Sequence, residues 1–123
     1  MLFRSLNDGK ITGTAGEKVI GIYANNTHAT AVSKIKNDTN GNIDLTAAKG
    51  SLGIYAGKSD LESKGNIKVG DESAGINAVN TKTVISGGNV EVGTKSIGFI
   101  LEGIGKTSTT TFDGQAAGTL KIS

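Results

Sequence analysis

Cysteine, proline and tryptophan are absent from the 123 residues, and His28 and Arg4 are the single histidine and the single arginine. Each absence removes a class of protein. Without cysteine there is no disulfide framework and no thiolate chemistry. Without proline, nothing bars any strand from donating all its backbone amides to a neighbour. Three phenylalanines and two tyrosines are the only aromatics. The 13 basic and 11 acidic side chains are interspersed and leave a net charge of +2. No basic stripe with interleaved aromatics exists to meet nucleic acid, and no run of 18 apolar residues exists to cross a membrane as a helix. Met1-Leu-Phe-Arg lacks the apolar core of a signal peptide, so an export signal is expected outside these residues.

What the chain has in quantity is glycine, 19 residues of it, and the glycines fall in a repeating phrase. It reads Gly-Asn-Ile-Asp-Leu from Gly41, Gly-Asn-Ile-Lys-Val from Gly65 and Gly-Asn-Val-Glu-Val from Gly88, with related forms at Gly9 and Gly118. A second phrase follows each of the first four. It is Ile-Gly-Ile-Tyr-Ala at Ile20, Leu-Gly-Ile-Tyr-Ala at Leu52, Ala-Gly-Ile-Asn-Ala at Ala74 and Ile-Gly-Phe-Ile-Leu at Ile97. Gly41 to Gly65 spans 24 residues and Gly65 to Gly88 spans 23, flanked by longer intervals of 32 and 30. Self-similarity at this period is the mark of a stacked architecture in which each repeat buries its apolar face only against its neighbours.

Alternation of apolar and polar residues gives each phrase the period of a strand. A weaker third segment (Leu61 among Asp60, Glu62 and Ser63; Val84 with Ile85; Thr109 to Phe112) completes each repeat. Glycine at this density would cost a helix about 1 kcal/mol per residue. The expectation is therefore an all-β, single-stranded, right-handed parallel β-helix, with three short strands per coil and about five coils, forming one unit over residues 1–123. Stacking predicts three interior columns: Ile11, Ile43, Ile67, Val90 and Leu120; Ile22, Ile54, Ile76 and Phe99; Ala24, Ala56, Ala78 and Leu101. Leu52 is expected to point inward with Ile54 and Ala56. Tyr23, Tyr55, Asn77 and Ile100 are expected to form an outward ridge beside a bare strip at Gly21, Gly53, Gly75 and Gly98, a possible contact surface for a host protein or glycan.

Candidate chemistry is sparse. His28 has no Ser-His-Asp or metal set to join. The pairs Asp60 with Glu62 and Asp71 with Glu72 read as solvated turn and strand residues, and Lys34 with Lys36 as a solvated face. Gly87-Gly-Asn-Val-Glu-Val lacks the later glycine and aspartate of a calcium nonapeptide. Gly103-Ile-Gly-Lys-Thr has only the tail of a phosphate loop, with Ile100 where the first glycine belongs and no helix after it. The Thr107–Phe112 run has no counterpart threonines in other coils. No catalytic, cofactor-binding or metal residues are assigned, and no cofactor is expected.

The sequence Gly-Asn-Ile-x-Val-Gly-x-x-Ser-x-Gly-Ile from Gly65 to Ile76, its variant from Gly88 to Phe99, and the Gly-Ile-Tyr-Ala phrases resemble passenger repeats of type V autotransporter adhesins. The fusobacterial outer-membrane autotransporters are the most similar. The resemblance covers roughly Gly9 to Ser123. It implies a non-enzymatic shaft segment of a longer passenger, displayed extracellularly on a bacterial outer membrane, stacked on neighbouring β-helix coils and serving adhesion, aggregation or virulence. The competing expectations are a carbohydrate-active, pectin-lyase-like β-helix enzyme, which would need an acidic cluster with a cation nearby, and a pure spacer.

Overall fold

The computed structural model describes residues 3–27, 33–103, 109–112 and 120–122, with side-chain burial from residue 6 to residue 103. Among these residues every regular element is a strand. In chain order they are β1 (Phe3–Asn7), β2 (Lys10–Thr12), β3 (Ile20–Asn25), β4 (Ser33–Asn37), β5 (Asn42–Leu45), β6 (Leu52–Gly57) and β7 (Ser59–Ser63). They continue with β8 (Ile67–Val69), β9 (Ala74–Val79), β10 (Lys82–Ile85), β11 (Val90–Val92), β12 (Ile97–Glu102), β13 (Thr109–Phe112) and β14 (Leu120–Ile122). Every third strand pairs with the next, in parallel. The first sheet runs β1-β4-β7-β10-β13, the second β2-β5-β8-β11-β14 and the third β3-β6-β9-β12. This is a parallel β-helix of three strands per coil. The right hand expected of it follows from the strand twist that makes parallel crossovers right-handed.

All three expected columns are in register. Ile11 pairs with Ile43, Ile43 with Ile67, Ile67 with Val90 and Val90 with Leu120. Ile22, Ile54, Ile76 and Phe99 follow one another in the third sheet, as do Ala24, Ala56, Ala78 and Leu101. Ile54, Ile67, Ile76, Ala56 and Ala78 are fully buried. Each large side chain so buried contributes roughly 1.5–3 kcal/mol. Long-range stacking thus supplies what no single coil can.

The phrase Leu52-Gly-Ile-Tyr-Ala departs from simple alternation, and this corrects two expectations. Leu52 does not point inward; it is only half-buried, and its register partner Ile20 is 46% exposed. The glycine column is not a bare outer strip but part of the interior. A Cβ on Gly53 would lie 2.5 Å from the Gly75 carbonyl oxygen and 2.7 Å from Ile67 Cγ2. The same two obstacles, from Gly53 and Ile43, face Gly21, and those from Gly98 and Val90 face Gly75. Two successive residues turn inward here, and the first has room only if it carries no side chain.

The corner that feeds the third sheet is built from a conformation that composition does not announce. Lys18, Gly50, Glu72 and Lys95 all have positive φ (57°, 64°, 52° and 55°), each three residues before the third-sheet glycine of its coil. Non-glycine residues rarely adopt this left-handed region. Here the ladder continues through it: Lys18 N–H donates to the Lys49 carbonyl, Gly50 to Asp71 and Glu72 to Thr94, each at 2.9 Å. The serine of the Gly-x-x-Ser-x-Gly motif completes the corner. Ser51 N–H donates to Ser73 Oγ at 2.9 Å, and Ser73 N–H to Ser96 Oγ at 3.0 Å. Each hydroxyl replaces a backbone carbonyl as the acceptor for the coil below, so buried amides stay satisfied where the chain bends.

The interior is more polar on the first-sheet side. Asn37, Ser59, Ser63 and Thr83 are buried there. Asn7 Nδ2 donates to Asn37 Oδ1 at 2.9 Å, and Asn37 Nδ2 donates to the Gly41 carbonyl at 3.0 Å, tying two coils at one corner. Ser59 Oγ donates to the Gly57 carbonyl at 3.0 Å. Asn37 and Ser59 thus bond to backbone, which lets them sit inside at modest cost, whereas Thr83 Oγ1 is buried with no hydrogen-bond partner.

The packing yields a direct test. Ile76→Asp places an unpaired carboxylate in a closed apolar column, and Gly53→Val drives atoms into a carbonyl and a core methyl. Each change is expected to cost more than about 4 kcal/mol and to abolish the cooperative melt followed by circular dichroism. Exposed Lys34→Ala should change stability by less than about 0.5 kcal/mol. Comparable melts for all three variants would contradict the inward assignment.

Candidate contact surface

The three sheets present three outer faces of different chemistry. On the third sheet, the outward columns are Ile20, Leu52, Ala74 and Ile97, and Tyr23, Tyr55, Asn77 and Ile100. None of these residues carries a formal charge. Tyr23 is 61% and Ile97 54% exposed, while Tyr55, Asn77 and Ile100 are half-buried. The expected ridge is therefore outward, but it is flanked by an aliphatic column and not by glycines. Tyr23 and Tyr55 stack with ring centroids 5.0 Å apart and planes 13° apart, an arrangement that one strand spacing imposes on identical residues in register. Asn77 Oδ1 is buried without a hydrogen-bond partner, so the column changes character after its second ring.

The first sheet carries a groove of about 520 Å³ along its outer face, walled by Leu6, Lys34, Lys36, Asp60, Glu62 and Lys82. Register explains the grouping: Lys34 lies beside Asp60 and Lys36 beside Glu62. The lysine pair and the carboxylate pair, read separately in the sequence as solvated, thus share one concave surface. Glu62 is engaged by Lys64 at 3.4 Å and accepts from Ser86 Oγ at 3.5 Å. Among the described residues no group of three or more His, Cys, Asp or Glu side chains is arranged to hold a metal ion.

The second sheet carries a column of alternating charge. Asp44 lies beside Lys68, Lys68 beside Glu91 and Glu91 beside Lys121. The fourth residue of each repeated phrase supplies it, a signal visible only when the copies are read across. Asp44 Oδ1 accepts from the Thr46 hydroxyl at 2.5 Å and from the Thr46 amide at 3.1 Å. These hydrogen bonds, assisted by the charges of Lys68 and Lys10, hold the Asp44 carboxyl below its ordinary range.

The remaining sequence candidates fall in turns or outside the described residues. Asp71 Oδ1 accepts from the Thr94 amide at 2.8 Å, and Glu72 pairs with Lys49 at 3.2 Å. Both roles are structural, joining one coil to another. His28 and residues 104–108 of the Gly-Lys-Thr segment lie outside the described residues, and of the threonine run only residues 109–112, as β13, lie within them. No helix among the described residues is long and apolar enough to cross a membrane. Compared with known proteins, the chain matches no family model, no curated protein and no solved structure.

The Asp44 environment has a pH signature. A carboxyl whose pKa is lower folded than unfolded stabilises the fold above its unfolded value, near pH 4, and loses that contribution as pH falls through the folded value. Asp44→Asn should thus lower the thermal midpoint at pH 7 by the equivalent of less than about 1 kcal/mol. The gap from the parent protein should narrow progressively as pH falls below the unfolded value, near pH 4. A gap that persists unchanged in acid would mean the effect is not electrostatic.

Proposed function

We propose that this chain is a non-enzymatic shaft segment of a bacterial surface-exposed autotransporter passenger, whose third-sheet face, uncharged but for Glu102 at the end of β12, meets a host protein or glycan in adhesion or aggregation. The repeat motif supports the placement, since Gly-x-x-Ser-x-Gly-Ile is spent entirely on corners and core. The observation that carries the contact role is the asymmetry of the three faces. Charged side chains line the first and second sheets, whereas residues 20–24, 52–56, 74–78 and 97–101 contain none. A tyrosine ladder on an apolar sheet offers large contact area at low side-chain entropy cost.

The test uses Tyr23→Ser with Tyr55→Ser in the full-length protein displayed on cells. The fold should survive, because both rings face outward, while adhesion per folded molecule should fall several-fold. A lowered thermal midpoint with unaltered adhesion would retire the face as a contact site and leave the spacer role.

A second reading is favoured by the first-sheet groove, which brings Asp60 and Glu62 together with Lys34, Lys36 and Lys82. That is the acid-and-cation set a carbohydrate-active β-helix requires. Incubation with acidic polysaccharides and measurement of new reducing ends decides it. On the shaft reading no ends form. Release that disappears in Glu62→Gln would instead establish the enzyme.

A further inference from the structure

The groove on the first sheet has an order in its charges that follows from register. Its lining comes from β1, β4, β7 and β10 in turn, so it runs along the stack between two outward columns. One column is Lys34, Asp60 and Lys82; the other is Leu6, Lys36, Glu62 and Val84. Read across the groove, the rungs are Lys34 with Lys36, Asp60 with Glu62, and Lys82 with Val84. The sign of charge changes from rung to rung but never within one. Successive rungs lie about 4.8 Å apart, and the two residues of one rung roughly 7 Å apart.

These charges are not spent on one another across the rungs. Lys36 pairs with Asp38 at 3.9 Å and Glu62 with Lys64 at 3.4 Å, each within its own coil. Both pairs are partly exposed, and such pairs are weak. Among the described residues Lys34, Asp60 and Lys82 enter no ion pair, although register sets Lys34 beside Asp60.

We propose that this groove binds a zwitterion whose phosphate ester and primary ammonium group are held one rung apart, as in a phosphoethanolamine group. The phosphate lies between Lys34 and Lys36, and the ammonium between Asp60 and Glu62. Two carbons join the ester oxygen to the nitrogen, and in its extended form the charge separation matches the rung spacing of about 4.8 Å. Each ligand charge then meets two opposite charges. Moving the ligand by one rung would bring like charges together. Ligands of one sign fit worse: a polyanion reaching from Lys34 to Lys82 must cross Asp60 and Glu62. The nitrogen is a primary amine because the two carboxylates can accept its hydrogen bonds. No aromatic residue lines the groove to receive a quaternary ammonium instead.

The probe is O-phosphoethanolamine, titrated into the intact chain at low salt and followed by amide chemical shifts. Saturable shifts confined to β4, β7 and β10 are expected. Affinity should exceed that for inorganic phosphate, ethanolamine or phosphocholine by about fivefold. Lys34→Ala should weaken binding several-fold at an unchanged thermal midpoint. Exchanging the pair, Lys34→Asp with Asp60→Lys, keeps the net charge but mixes the signs within each rung, and should abolish the preference over inorganic phosphate. Glycerophosphoethanolamine and phosphatidylethanolamine vesicles, used as competitors, tell a soluble carrier of the group from a lipid one, and displacement by either supports the site. The proposal is overturned by absence of saturable shifts, by equal affinity for phosphate or phosphocholine, by binding indifferent to Lys34→Ala or to the exchange, or by displacement with neither competitor. Binding is read without cleavage or cell adhesion, so its failure would leave both readings of function as they stand.

Discussion

Parallel pairing in unbroken register holds equivalent residues of successive coils about 4.8 Å apart, and this spacing governs the choice of nearly every residue. A side chain must tolerate its own near-copy directly above and below. Isoleucine, valine and alanine do so by packing, tyrosine by ring stacking at 5.0 Å, and asparagine by passing an amide hydrogen bond from Asn7 to Asn37. Charge on the second sheet is accommodated by alternation, as in Asp44, Lys68, Glu91 and Lys121. Each column is one solution to the same spatial problem.

Repetition made the strands legible. Because Ile43, Ile67 and Val90 occupy the same place in successive phrases, alignment of the sequence with itself gives the register without any knowledge of the fold. The expected ridge of Tyr23, Tyr55, Asn77 and Ile100 followed for the same reason. What alternation misplaced was Leu52, because a strict period of two cannot represent the bend at Gly53, where two successive residues turn inward. Corner conformation was also hidden. Lys18, Glu72 and Lys95 adopt a left-handed backbone usually given to glycine, and only Gly50 in that column advertises it. Left-handed residues forced by a ladder on both sides carry strain of order 1 kcal/mol, which the continuous hydrogen bonds offset.

The groove on the first sheet was illegible for a different reason. Its lysines and carboxylates come from β4, β7 and β10, which are too dissimilar in sequence to be aligned by inspection. Only pairing shows that Lys34 and Lys36 face Asp60 and Glu62. Weakly patterned segments acquire meaning from their neighbours. The division of labour among the sheets follows: the two strongly patterned strands of each repeat carry most of the apolar core, and the third is free to diverge. Polar residues buried on that side, Asn37, Ser63 and Thr83 among them, reflect the same latitude.

The column of Gly21, Gly53 and Gly75 has a direction, opposite to that of Gly65 and Gly70, whose missing side chains would meet the preceding coil. The atoms that would collide with a side chain at Gly21, Gly53 or Gly75 belong in every case to the succeeding coil and never to the preceding one. An error at one of these positions would therefore be silent while its own coil forms and would be felt only when the next tries to dock. At this one column, growth from the N-terminal rung inspects each coil one step late. The clash made by a substitution in this column therefore falls not in its own coil but at the seam with the one that follows.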